Sequence, residues 1–233
     1  AAPVMANAKE EVEEMAAMAG AVVLNIGTLS KDQVEAMILA GKSANKNGVP
    51  VVLDPVGAGA TSMRTKAAQR IIEEVQLSVI RGNSGEIASL AGIETKVKGV
   101  DGVSDSAKEK IARLAYHKWN VPTVITGPED IIWDGEVGAS IFNGHPLLTK
   151  ITGAGCLLSS VMGAFLAVEK NTLQAAEAAL TFYGVAAEMA AKKTSLPGTF
   201  QVEFLNALYT TTSEMVEENK RVSPFIEAVQ SNE

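Results

Sequence analysis

Short runs of β-branched and aliphatic residues alternate along this chain with longer stretches whose apolar positions recur every three or four residues. The runs, bounded by Gly, Pro and Asn, read as buried strands, and the longer stretches read as amphipathic helices. Ala6 to Met18 is predicted to be helical, with Val12, Met15, Ala16 and Ala19 on one face. Ala21 to Gly27 follows as a strand, then a helix from about Lys31 to Ala44 capped by Ser30. The unit repeats. Strand Val51 to Asp54 leads through Pro55 to Ala60 into a helix from about Arg64 to Val75. Strand Leu77 to Ile80 leads through Arg81-Gly82-Asn83 into a short helix, and a charged helix near Ala107 to Lys118 leads to strand Thr123 to Ile125.

After Thr126-Gly127, the segments Ile131 to Trp133 and Ala139 to Phe142, joined through Asp134-Gly135-Glu136, read as a hairpin at one edge of the sheet. Helices near Leu157 to Glu169, Leu173 to Lys192 and Thr199 to Glu218 then make an all-helical C-terminal third. Repeated βα units predict an α/β fold, a mainly parallel central sheet flanked by helices, within a single domain over residues 1–233. In open parallel sheets ligands bind beyond the carboxyl ends of the strands. Polar and glycine residues collect at that end of four strands, so these ends are predicted to face one crevice.

A hydrophobic content of 47% over 233 residues is enough to bury a large core without dividing the chain. The net charge is -7 and Lys and Arg are scattered, which argues against nucleic acid or an anionic membrane as partner. One cysteine excludes an intramolecular disulfide framework, and no leader or apolar span of membrane length is apparent, so a cytoplasmic protein is expected. A lone cysteine is by default a small buried hydrophobe. The position of Cys156 changes that reading.

Thr152-Gly153-Ala154-Gly155-Cys156 stands directly before the apolar helix beginning near Leu157. The first amides of a helix have no partners within it, and the peptide dipoles leave partial positive charge there, so Gly153, Ala154, Gly155 and Cys156 form a candidate anion hole. The run lacks the Lys-Ser/Thr ending of a P-loop and the spaced glycines of a dinucleotide fold.

Asp54 ends an almost wholly apolar strand, where a carboxylate must be paired, hydrogen-bonded or metal-bound; its plain alternative is to cap the following turn. Glu86 is a candidate partner, with a capping box on Asn83 as its alternative. Two carboxylates near a phosphate tail suit Mg2+. Arg81 could neutralise transferring phosphate oxygens and Thr126 could donate a hydroxyl, against a surface ion pair and a turn hydrogen bond. His117 and His145 are too isolated for a metal site or a catalytic triad, and Gly198-Thr199-Phe200, a loop into a helix, reads as a plain helix start with a nucleotide border as its alternative.

Ala2-Pro3-Val4-Met5, Asn25-Ile26-Gly27-Thr28, Leu53 to Ala60, Arg81-Gly82-Asn83 with Glu86, Ile125-Thr126-Gly127 and Thr152 to Cys156 together resemble the hydroxyethylthiazole kinase family. Gly-Ala-Gly alone would resemble only the wider ribokinase-like superfamily. The resemblance implies transfer of the ATP γ-phosphoryl group to the primary alcohol of 4-methyl-5-(2-hydroxyethyl)thiazole, in thiamine biosynthesis and salvage. It implies ATP contacts from Arg81, Asn83 and Thr126, and organisation of Mg2+ by Asp54 and Glu86. Thiazole contacts fall to Met5, Gly153 and Cys156, with Cys156 either a base or a pocket-lining group. It also implies a homotrimer with the thiazole pocket at subunit boundaries. The family carries a further segment before the Pro-Val-Met motif that supplies a first strand, so an exposed sheet edge is expected in this chain. The rival readings are a sugar, nucleoside or pyrimidine kinase, in which Asp would replace Cys156, and a nucleotide-binding module without catalysis.

Overall fold

In the computed structural model, which describes residues 1–93 and 105–226, a seven-stranded sheet runs in sequence order from β1 to β7. Its strands are β1 Val22–Asn25, β2 Val51–Asp54, β3 Val79–Asn83, β4 Thr123–Thr126, β5 Asp130–Trp133, β6 Val137–Ile141 and β7 Val222–Ile226. The pairs from β1 to β4 are parallel, and the pairs from β4 to β7 are antiparallel. The helices are α1 Val12–Met18, α2 Lys31–Lys46, α3 Ser62–Glu74, α4 Ser84–Ala91, α5 Asp105–Trp119, α6 Ala154–Leu166, α7 Thr172–Ala191, α8 Pro197–Thr210 and α9 Ser213–Asn219.

The alternation of side chains along each strand divides the core in two. Leu24, Leu53, Ile80 and Ile125 pack with α1 to α5 on one face. Val52, Val79 and Val124, with Val23 beside them, pack under α6 to α8 on the other. Helices on both faces explain why β2 is buried at every position and reads as an unbroken apolar run.

Several boundaries differ from the sequence reading, each for a local reason. The first helix begins at Val12 rather than Ala6, because only Val12 and Ala16 find buried contacts to offset the entropy of helix formation. The β1 ladder stops at Asn25, since the carbonyls of Ile26 and Gly27 are taken by the Arg64 guanidinium. β3 extends through Arg81-Gly82-Asn83, which pair with Val124, Ile125 and Thr126. α6 starts at Ala154, so the expected turn residues form its first helical turn.

The C-terminal third is not all helical, and the hairpin is not the edge. β7 pairs along the full length of β6 and covers it. The all-helical expectation gave residues 222–226 no strand; an edge position tolerates Pro224, a residue with no backbone N–H. Phe225 stacks on Trp133 at 5.8 Å, and the Arg221 amide donates to Asn143 Oδ1 at 2.7 Å, which fastens the strand in place. The last predicted helix breaks into α8 and α9, where the Thr212 side chain accepts from the Met215 amide as a new N-cap.

Candidate active site

Each of the first four strands carries the same local sequence, a valine, an aliphatic residue and then a polar one: Val23-Leu24-Asn25, Val52-Leu53-Asp54, Val79-Ile80-Arg81 and Val124-Ile125-Thr126. The period of two therefore sets Asn25, Asp54, Arg81 and Thr126 on the face covered by α6. There they touch in series. Asn25 Nδ2 donates to Asp54 Oδ2 at 2.7 Å, Arg81 Nη1 lies 3.7 Å from the same oxygen, and Arg81 Nη2 donates to Thr126 Oγ1 at 2.8 Å.

Asp54 is 1% exposed. Burial pushes its carboxyl above the ordinary aspartate value, while the Arg81 guanidinium and the hydrogen bonds from Ser159 and Asn25 pull it back. Asp54 Oδ1 and Arg81 Nε are buried with no hydrogen-bond partner among the described residues. A buried acceptor and a buried donor, both unsatisfied and on neighbouring side chains, are costly unless something else binds them.

α6 closes this site from above. Gly153 is its N-cap, with φ at 86°, a left-handed conformation that glycine adopts without a Cβ penalty. The first intrahelical bond runs from the Leu157 amide to the Gly153 carbonyl at 2.9 Å, which leaves the amides of Ala154, Gly155 and Cys156 outside the helical ladder. A Cβ added to Gly155 would lie 3.0 Å from Arg81 Nη1, so the guanidinium sits directly against that turn. Ser159 Oγ donates to Asp54 Oδ2 at 2.8 Å and Tyr183 Oη donates to the Ala154 carbonyl at 2.5 Å, fastening the helix to β2 and α7. Cys156 is a free, half-buried thiol on the same turn.

Glu86 has both oxygens engaged by backbone. One accepts from the Asn83 amide at 2.9 Å, while Asn83 Oδ1 accepts from the Glu86 amide at 2.9 Å, completing a capping box. The other accepts from the Gly57 amide at 2.8 Å, in the loop that follows Asp54. The capping alternative is thus realised, and the same carboxylate also shapes the Asp54 loop. Arg64 braces that loop from the other side, donating to the carbonyls of Val56 and Ile26 at 2.7 Å and of Gly27 at 3.0 Å. His117 is exposed. His145 Nδ1 accepts from the Leu147 amide and caps the 3-10 turn Pro146–Lys150, a structural role.

The model of the hydroxyethylthiazole kinase family matches residues 1–214. The chain belongs to that family. A hydroxyethylthiazole kinase from Pyrococcus horikoshii OT3 is 38% identical, with a TM-score of 0.87, and the match covers 97% of this chain and 85% of that one. A ribokinase-like superfamily protein from Enterococcus faecalis V583 has 15% identity and a TM-score of 0.61 over 85% of this chain and 67% of its own. A pyridoxal kinase from Bacillus subtilis, solved as an ADP complex, has 23% identity and a TM-score of 0.54 over 72% of this chain and 64% of its own. The last two share the fold, and the expected ribokinase-like architecture is borne out.

Membership of the hydroxyethylthiazole kinase family makes the chain a kinase, with ATP as phosphoryl donor. The residues present fit a magnesium ion. Among the described residues no three His, Cys, Asp or Glu side chains gather to hold a metal by themselves, and Mg2+ commonly takes one or two carboxylates together with substrate phosphates. Asp54 Oδ1 is an open acceptor of the required kind. Met5 stands apart from this network at 97% exposed.

One further carboxyl borders the site. The Gly127 amide donates to Asp130 Oδ1 at 2.9 Å, closing the turn after Thr126. Burial pushes Asp130 up to about 7, against the Gly127 hydrogen bond and the charges of Arg81 and Lys108. The folded protein therefore holds this proton more tightly than the unfolded chain, whose value is near 3.8, and stability falls as pH rises through that interval. Asp130→Asn keeps an oxygen for the Gly127 amide and removes the titration. Thermal melts are expected to show the variant equal to the wild type near pH 4 and more stable at pH 8. Equal melting points at both pH values would contradict this.

Proposed function

We propose that this chain is a single kinase domain that transfers the ATP γ-phosphoryl group to the primary alcohol of 4-methyl-5-(2-hydroxyethyl)thiazole. The observation that carries the reading is the Arg81 guanidinium held between Asp54 and the unpaired amides of the first α6 turn. That arrangement offers one anion a cation and a set of backbone donors within a site closed to water on the sheet side. Family membership supports the thiazole alcohol as acceptor.

Phosphoryl transfer through a loose transition state needs little covalent help from the protein and much charge stabilisation. The amides of Ala154, Gly155 and Cys156 bind the phosphoryl oxygens as negative charge accumulates on them, and Arg81 neutralises it from below. Thr126 Oγ1 holds the Arg81 fork in place, and Asn83 lines the nucleotide side at the end of β3. Asp54 would hold Mg2+, with Glu86 fixing the loop beside it, and the bound ion would neutralise charge on the phosphate tail. Gly153 and Met5 contact the thiazole. The attacking hydroxyl surrenders its proton late, and Cys156 Sγ receives it. A homotrimer that covers the exposed Val4 and Met5 accords with this reading. So does a cytoplasmic location: no helix of the described residues is long and apolar enough to cross a membrane.

Cys156→Ala is expected to lower kcat for thiazole-dependent ADP release about a hundredfold while leaving ATP affinity unchanged. Unaltered kcat would remove Cys156 as proton acceptor, and loss of ATP binding would make it structural.

A further inference from the structure

α7 packs against the sheet through small side chains, Ala175, Ala176, Ala179, Ala186, Ala187 and Ala190 among them, yet at Tyr183 it buries a phenol that is only 4% exposed. A buried hydroxyl costs free energy that phenylalanine would avoid, unless it bonds to something. Its partner is the Ala154 carbonyl at 2.5 Å. That carbonyl and the Gly155 N–H are the two ends of one planar peptide, so a bond that fixes the carbonyl also fixes the direction of the amide. Donation to the carbonyl polarises the peptide and makes its N–H a stronger donor. Gly155 is the residue against which the Arg81 guanidinium rests.

We infer that Tyr183 is a positioning residue for phosphoryl transfer, whose hydroxyl aims and strengthens the Gly155 amide as an anion-hole donor; this rests on the kinase reading. The ring packs within an aromatic stack. Phe204 meets it edge-on at 4.8 Å and an interplanar angle of 87°, and Phe200 stacks on Phe204 at 5.7 Å. Burial pushes the phenol well above its usual range, so it remains a donor throughout the working pH range.

The test compares Tyr183→Phe with Phe204→Leu, which loosens the same aromatic stack but keeps the hydroxyl. Kinetics with the hydroxyethylthiazole and ATP, together with melting points, are measured on both and on the wild type. Tyr183→Phe is expected to lower kcat about tenfold, less than the loss of a direct oxyanion donor, with both KM values within twofold. Phe204→Leu is expected to melt at least as early yet keep kcat within twofold of the wild type. A Tyr183→Phe kcat within twofold of an active wild type overturns the inference alone. Parallel losses in the two variants also overturn it, by making Tyr183 merely structural. A wild type inactive with the thiazole overturns the kinase reading and the inference with it.

Discussion

Arg81→Met is expected to lower kcat by about three orders of magnitude and to destabilise the fold by about 3 kcal/mol. The two effects have separate origins. The kinetic loss follows from removing the buried guanidinium that rests against the proposed anion-hole turn, where charge would develop during transfer. The stability loss follows from leaving the Asp54 carboxylate, already disfavoured by burial, without its cationic neighbour. Its carboxyl then rises further and takes up a proton nearer neutral pH, so the variant loses stability more steeply than the wild type as pH increases. Arg81→Lys separates the two effects. A single ammonium restores charge near Asp54 but cannot reproduce the fork that reaches Thr126 as well. Urea melts should therefore recover much of the stability while kcat stays low. Full recovery of kcat by lysine would show that charge alone is enough and that the fork geometry is irrelevant.

Asp54→Asn is expected to behave like Arg81→Lys: activity lost with stability nearly kept. The asparagine oxygen can accept the bonds that Asn25 and Ser159 donate to Oδ2. The desolvation cost of the carboxylate disappears, offsetting the lost attraction to Arg81. A urea midpoint close to the wild type is expected. Activity should fall at least a hundredfold at ordinary Mg2+, with a higher Mg2+ concentration needed for half-maximal rate. An unchanged Mg2+ dependence would place the ion elsewhere.

Much of this architecture was legible in the chain. Parallel strands with apolar runs and intervening amphipathic helices announce a sheet covered on both faces. The polar residue at the end of each run stands out because its neighbours are buried. The repeated valine, aliphatic, polar triplet also contained the common facing of Asn25, Asp54, Arg81 and Thr126, once the two-residue period is applied to all four strands together. Other features depended on tertiary partners that local sequence does not encode. Ser159 lies within an apolar helix, and only its need for a hydrogen-bond partner hinted at Asp54. Tyr183 lies within the predicted helix Leu173 to Lys192, and nothing in its local sequence sets its hydroxyl apart. Arg64 could not be told from a solvated helix residue until three carbonyls converged on it. β7, Val-Ser-Pro-Phe-Ile, lacks the unbroken apolar run of β2, and its Pro224 is tolerated on an edge strand. Glu86 showed both of its readings in the sequence, and the structure fills the capping role while adding the contact to Gly57.

The central claim is that the anion hole of α6 and the buried Arg81 transfer phosphate to one particular alcohol. The most direct test is phosphorus-31 NMR of the products from ATP and Mg2+ in a single mixture of hydroxyethylthiazole, hydroxymethylpyrimidine and ribose. A new phosphate monoester carried by the thiazole alone, with matching release of ADP, is the predicted result. A monoester on the pyrimidine or ribose, or none on any acceptor while ATP still binds, would contradict it.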